Sequence, residues 1–334
     1  MGKLCMEAVW EATPNIAVVK YWGKRDAWLN LPYNTSISVT MDETLRTTTS
    51  VKFDSSLLED RLILNGKEAN PSELERVKKV LDAVRKAARL KHKALVVSEN
   101  NFPTAAGIAS SASGFAALAC AAADAAGLNP TPRQLSIFAR LGSGSACRSV
   151  LGGFVEWKRG VKKDGSDSYA VQIVSEKHWS SLRNVIAIVS HEKKEICSSE
   201  AMERTTKTST LYWKRIADLP KTIAKMKRAI KERDLPTFLE LAMKESSNMH
   251  SVMLDTYPPI VYLNDISKEI MRKVHEFNLQ KGKVCAGYTF DAGPNAHVYT
   301  DQKYQREVEE MLSEIPGVKQ VISCKVGSGP KRIG

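Results

Sequence analysis

Three short stretches of this chain hold residue types that could do chemistry together. In Phe290-Asp291-Ala292-Gly293-Pro294-Asn295, a carboxylate sits between an aromatic run and a tight turn, where it could face a substrate hydroxyl as a base or orienting group. Capping the turn between two strands is an equally good reading of Asp291. In Gly142-Ser143-Gly144-Ser145-Ala146-Cys147-Arg148-Ser149, small residues surround one arginine, expected to be exposed, whose planar fork suits a carboxylate or phosphate. In Lys20-Tyr21-Trp22-Gly23-Lys24-Arg25, cations and aromatics alternate in a way that suits a second anion. Taken singly, each of these bases reads as surface charge, and only their convergence would make a pocket.

A fourth stretch, Asn100 to Gly114, runs from a polar turn into an alanine-rich helix. Pro103 and Gly107 punctuate a loop, while Ile108, Ala112, Phe115, Ala119 and Ala122 recur at helical spacing. The first turn of a helix exposes unpaired N–H groups, and only small side chains let a polyphosphate approach them. Ser110 and Ser111 add hydroxyls for phosphate or for a phosphate-bound magnesium. Gly, Ala and Ser also build ordinary tight helix starts, and the common G-x-x-x-x-G-K-[S/T] nucleotide loop is absent.

These stretches need a scaffold of both strands and helices. Strands are expected at 8–12, 36–41, 46–53, 61–64 and 93–98, the last feeding the serine-rich loop, with a helix at 74–88. A helix at 134–141 leads into the arginine segment, and strands follow at 154–157 and 169–174. A boundary near 179–183 precedes a buried strand at 185–189 and a unit made mostly of helices, including one through Leu263, Ile266, Ile270, Val274 and Phe277. Strands at 284–290 and 296–300 flank Asp291, and a helix at 304–315 and a strand at 320–324 close the unit. The pattern predicts two α+β domains, 1–182 and 183–334.

Composition narrows the function classes. A chain of 334 residues can bury a large core, and no apolar run approaches a membrane span or a secretory h-region, so a cytosolic location is expected. Lys and Arg exceed Asp and Glu by 12 (49 against 37), a bias that favours an acidic partner. The densest basic run, from Lys221 to Arg233, lies on a helix opposite Ile223, Met226 and Ile230 and reads as a solvated face; no nucleic-acid motif accompanies it. Six cysteines and six histidines are scattered without a zinc or thioredoxin-like spacing.

Four blocks in order, Pro14 to Arg25, Asn100 to Gly114, Gly142 to Ser149 and Tyr288 to Asn295, resemble the mevalonate diphosphate decarboxylases, a branch of the GHMP kinase superfamily. The resemblance runs through nearly the whole chain, including 192–202 and 247–265. It implies a GHMP-type two-domain fold: an N-terminal domain like the second domain of ribosomal protein S5, a ferredoxin-like C-terminal domain, a cleft between them and a homodimer. It also implies the reaction of ATP and Mg2+ with (R)-5-diphosphomevalonate to give isopentenyl diphosphate, ADP, phosphate and carbon dioxide.

Residue by residue, the resemblance assigns Asp291 to the C3 hydroxyl, Lys20 to the transferring phosphoryl group and Arg148 to the C1 carboxylate. Asn15, Ser143 and Ser145 line the substrate, while Tyr21, Lys24 and, less closely, Arg76 bind its diphosphate. Gly107, Ala109, Ser110 and Ser111 form the ATP phosphate loop, with Ser111 at the magnesium. Two departures from the superfamily pattern stand out: Ala109 occupies a position often given to glycine, and Cys147-Arg148 lies where several relatives use an acidic residue. The rival readings are a mevalonate 3-kinase, a phosphomevalonate decarboxylase and, from another class, a noncatalytic basic RNA-binding protein. Tyr21, Lys24 and Arg76 argue against the first two, because a second terminal phosphate calls for added positive charge.

Overall fold

The computed structural model describes residues 6–102, 110–190 and 196–334. In chain order the first unit contains β1 (Glu7–Ala12), β2 (Asn15–Val19), β3 (Lys24–Asp26), β4 (Leu31–Pro32), β5 (Ser36–Thr40), β6 (Thr47–Asp54), β7 (Arg61–Leu64), β8 (Lys67–Glu68), α1 (Pro71–Ala88), β9 (Lys93–Asn100), α2 (Ser110–Ala125), α3 (Pro132–Gly142), α4 (Ala146–Ser149), β10 (Phe154–Trp157) and β11 (Ala170–Val174). The second contains β12 (Leu182–Ile188), α5 (Ser198–Thr208), α6 (Tyr212–Glu232), α7 (Leu235–Leu254), α8 (Asp265–Lys281), β13 (Ala286–Phe290), β14 (Ala296–Asp301), α9 (Gln305–Ser313), β15 (Gln320–Lys325) and β16 (Lys331–Arg332).

Three larger sheets carry the fold, in the orders β16-β1-β6-β9-β7-β8, β11-β10-β5-β2 and β13-β14-β12-β15. β2 is a strand the sequence reading passed over. Asn15–Val19 is buried at every position, so it lacks the in–out alternation of a half-exposed strand and reads only as a short apolar run.

Helix starts follow local chemistry. Asn70 and Glu73 form a reciprocal capping box at α1, with Pro71 at the first helical position, and Thr131 with Gln134 and Pro132 repeats the device at α3. α2 differs from the single apolar face expected of it. Its alanines are buried around most of the helix, because it packs on β1 and β6 and beneath α1, α3 and α4.

α7 joins the two halves. It packs on β13 in one sheet and on β2 in another. Its approach to β13 is close at Gly287, where a Cβ would stand 2.8 Å from Cβ of Leu239. One hydrophobic cluster accordingly draws Ile16, Val39 and Met41 from the first unit together with Ile186, Phe238 and Tyr299 from the second.

After β15 the chain returns to the first unit. Met41 bridges to Val326, the Gly327 N–H donates to the Thr40 carbonyl at 2.8 Å, and β16 pairs antiparallel with β1, Trp10 opposite Arg332. The strand that completes the first sheet thus lies beyond the expected boundary at 182/183.

Candidate active site

Lys20 and Asp291 meet although 271 positions separate them. The Lys20 Nζ donates to Asp291 Oδ1 at 2.7 Å, with the lysine side chain 1% exposed and the aspartate 33%. A buried ammonium thus abuts a carboxylate that solvent or substrate can still reach. Burial holds the Lys20 ammonium below its ordinary pKa, opposed by Asp291 and then Glu245, while Arg148 adds to the lowering.

The loop carrying Asp291 is fixed on three sides. The Phe290 N–H donates to Ser246 Oγ of α7 at 2.8 Å, and Ser267 Oγ of α8 donates to the Pro294 carbonyl at 3.0 Å. Asn295 Oδ1 accepts from the N–H groups of Val189 and Ser190 at 2.6 and 3.0 Å. The aspartate is therefore presented from a loop whose backbone is held in place.

Arg148 corrects an expectation. It is 2% exposed, not a surface cation, because α4 is a four-residue helix wedged between α2, α3 and the β2–β5 edge. Its Nε donates to Asn15 Oδ1 at 2.9 Å and its Nη1 to Ser36 Oγ at 2.6 Å, while Asn15 Nδ2 donates to Ser149 Oγ at 2.7 Å and to the Ser145 carbonyl at 3.1 Å. Among the described residues these partners are neutral oxygens, yet a buried guanidinium calls for an anion. The Asp291 carboxylate bears on its charge, as Arg148 does on Lys20, so the three groups share one electrostatic neighbourhood.

Tyr21 packs edge-on against Trp157, with ring centroids 4.7 Å apart, and burial pushes its phenol well above the ordinary range. Its hydroxyl is sealed from solvent and meets no hydrogen-bond partner among the described residues. Gly144 makes room for it: a Cβ there would lie 2.9 Å from the Tyr21 hydroxyl and 2.9 Å from Trp157. Ser143 Oγ lies 3.5 Å from Ser145 Oγ and 3.4 Å from Ser111 Oγ, so the serine turn before α4 adjoins the start of α2.

A cationic margin lies to one side. Lys24 donates to Ser199 Oγ at 2.9 Å, and burial, then the charges of Arg76 and Lys79, lower its pKa to about 8. Arg76 donates to the Gly142 carbonyl at 3.0 Å and covers the Phe115 ring at 4.7 Å. Arg76 is thereby tied to the same glycine–serine turn that leads to Arg148.

Ser111 is exposed and Ser110 partly so at the first turn of α2; Gly107 and Ala109 lie outside the described residues. A cavity of about 170 Å³ opens beside them, lined in part by Thr49, Leu62, Leu64, Val96 and Phe115. No group of three or more His, Cys, Asp or Glu side chains suited to a metal ion occurs among the described residues. A hard cation at this turn would rest on ligand phosphate oxygens and a serine hydroxyl, which is the way magnesium is commonly carried with nucleotides.

Two groups escaped the sequence reading. Glu245 and Arg215 form a buried ion pair at 3.0 Å directly behind Lys20. A signal for Glu245 existed: Phe238, Leu239, Ala242 and Met249 mark the core face of α7, and a carboxylate at the spacing of that face has to be paired. Trp157 gave no such signal, since a tryptophan in a strand reads as core.

Comparison with known proteins agrees along the whole chain. Residues 12–170 match the family model of the diphosphomevalonate decarboxylase-like N-terminal domain, and residues 184–316 match that of the mevalonate 5-diphosphate decarboxylase C-terminal domain. Diphosphomevalonate decarboxylase of Candida albicans is 45% identical over 349 aligned positions, covering 96% of each chain, and that of Bos taurus is 46% identical over 305, covering 86% of this chain and 75% of its own. The crystal structure of mevalonate diphosphate decarboxylase from Staphylococcus aureus superposes with a TM-score of 0.91 at 34% identity over 98% of both chains. A structure of MDDEF in complex with MVAPP, AMPPCP and magnesium superposes with a TM-score of 0.90 at 36% identity, covering 98% of this chain and 99% of its own.

Proposed function

The chain belongs to the diphosphomevalonate decarboxylase family, and from that premise we propose how its own residues divide the work. It has the α+β, two-domain GHMP-type fold and catalyses the ATP- and Mg2+-dependent decarboxylation of 5-diphosphomevalonate to isopentenyl diphosphate in isoprenoid biosynthesis.

The tertiary C3 hydroxyl is a poor leaving group. Asp291 orients it and accepts its proton as the γ-phosphoryl group of ATP moves onto that oxygen; a loose transition state needs little activation of the nucleophile, so orientation is the larger part. Lys20, paired with Asp291 at 2.7 Å, neutralises the incoming phosphoryl oxygens. The C3–O bond then breaks with loss of phosphate, and the electrons of the C1–C2 bond form the C2=C3 double bond as carbon dioxide departs. Arg148 holds the C1 carboxylate through its buried guanidinium, with Asn15, Ser143 and Ser145 beside it. Tyr21, Lys24 and Arg76 take the diphosphate.

The small-residue turn of Gly107, Ala109, Ser110 and Ser111 receives the ATP phosphates, and the adjoining cavity takes the base. Ser111 holds magnesium, which, when bound, offsets phosphate charge during transfer. The supporting observation is one buried neighbourhood containing a carboxylate, an ammonium and a guanidinium whose described partners are neutral. We also propose domains 1–182 and 183–334, a homodimer and a cytosolic location. Sedimentation equilibrium tests the dimer, and a monomer throughout the micromolar range refutes it.

The reaction assignment is tested by following ADP and carbon dioxide together with 5-diphosphomevalonate, 5-phosphomevalonate and mevalonate. Equimolar ADP and carbon dioxide, with the diphosphate preferred, is the expected result. ADP without carbon dioxide, or a preference for the monophosphate, overturns it.

A further inference from the structure

Lys20 stands one residue past β2, beyond a register shift in the β2–β5 ladder between Ala17 and Val19. A buried lysine at the end of a strand needs partners for its main-chain N–H and C=O as well as for its ammonium. The main-chain partners come from side chains. Glu245 Oε2 of α7 accepts the Lys20 N–H at 3.2 Å, and the Lys20 carbonyl accepts from Asn34 Nδ2 at 2.9 Å and from Arg215 Nη2 of α6 at 3.4 Å.

Glu245 and Arg215 are also bonded to each other. Arg215 Nη1 donates to Oε1 at 3.2 Å and Nη2 to Oε2 at 3.0 Å, the side chains being 6% and 1% exposed, and Arg215 is anchored further on Asn248. A buried ion pair seldom repays its desolvation through stability alone, since apolar residues of similar size often do as well. What this pair does that apolar residues cannot is grip both sides of one peptide unit. α7, which carries Glu245, also carries Ser246, the acceptor for Phe290 N–H next to Asp291. A single helix thus sets the backbone on both sides of the Lys20–Asp291 contact.

We infer that Glu245 and Arg215 are positioning residues for turnover, a two-pronged clamp on the Lys20 main chain that holds its ammonium on Asp291 at the point of phosphoryl transfer. The inference rests on the reading of Lys20 and Asp291 given above; Asp291→Asn, measured in parallel, tests that reading separately.

The charged and titratable groups that face the Lys20 ammonium are Asp291 from the loop after β13, Glu245 and His250 from α7, Arg215 from α6 and Arg148 from α4. Removing the Glu245 charge takes away an anion that favours the ammonium. The alkaline limb of kcat therefore moves to lower pH.

The experiment compares full-length wild type, Glu245→Gln and the double variant Arg215→Met/Glu245→Leu by steady-state kinetics, pH profile and thermal melting. In Glu245→Gln, kcat is expected to fall by about 10–100-fold, the scale of a small misplacement of a reacting group, with both KM values within about threefold of wild type and the alkaline limb displaced towards acid. In the double variant no buried charge is left unpaired, so Tm recovers while kcat stays at least about tenfold low. Near-normal kcat in the double variant overturns the inference. So does failure of the double variant to fold, or a Glu245→Gln rate loss that tracks only the folded fraction with an unmoved pH profile.

Discussion

At the scale of single residues, the site depends on charges that burial makes costly unless they are used. Asp291 is the exposed member of its pair, so Asp291→Asn removes a charge from a reachable edge and leaves the fold intact. Turnover is expected to drop by about 10²–10⁴-fold with ATP and substrate binding retained by calorimetry; near-normal turnover would exclude a chemical role. Lys24 makes a different prediction. Its pKa of about 8 means that the free enzyme loses this charge as pH rises through that value, so affinity for 5-diphosphomevalonate should weaken from pH 7 to 9. Titration calorimetry across that range checks it, and Lys24→Arg should flatten the dependence, because guanidinium stays charged.

Asp291 and Lys20 were legible in the sequence as isolated candidates, since a carboxylate in a Gly-Pro turn and a lysine in an aromatic cluster both break their local pattern. Their meeting was not, because nothing local relates positions 20 and 291. Arg148 was legible as a cation among small residues, and its depth was not: whether a four-residue helix lies at the surface depends on what closes over it.

At the scale of elements, close approach governs geometry. The turn from α3 into α4 keeps a glycine at 144 because the Tyr21 ring end and Trp157 fill the space a methyl would need. Gly144→Ala should displace Tyr21 and raise KM for 5-diphosphomevalonate by about tenfold, equivalent to about 1.4 kcal/mol, with kcat changed little. An unchanged KM would show that Tyr21 does not bear on the diphosphate. Capped helices such as α1 and α3 could be placed from sequence to within a few residues, since their caps are local chemistry. β2 and the all-round burial of α2 could not, because neither carries a periodic contrast between faces.

At the scale of the whole molecule, the core between the two units contains ionisable groups that folding keeps neutral. Burial lowers His297 to about 4, and burial together with the nearby Lys20 charge brings His250 to about 4. The unfolded chain, with histidines near the ordinary value of about 6.5, therefore takes up these protons first as pH falls. The resulting stability is complete above about pH 6.5 and is lost progressively towards pH 4. Thermal melts across that interval should show Tm decreasing, and His297→Gln should reduce the slope; an unchanged slope would remove His297 from the account.

Sheet composition at this scale was beyond sequence reading, since partners of β1 come from β6 and from a two-residue strand more than 300 positions away. That pairing also has a temporal consequence. During synthesis β1 keeps one flank open until residues 331 and 332 have emerged, so the earliest-made sheet is among the last parts to acquire its full set of neighbours. A nascent chain halted before that point should expose β1 amides to deuterium on one side only, and a protease reaching the released flank would attack the oldest portion of the polypeptide first.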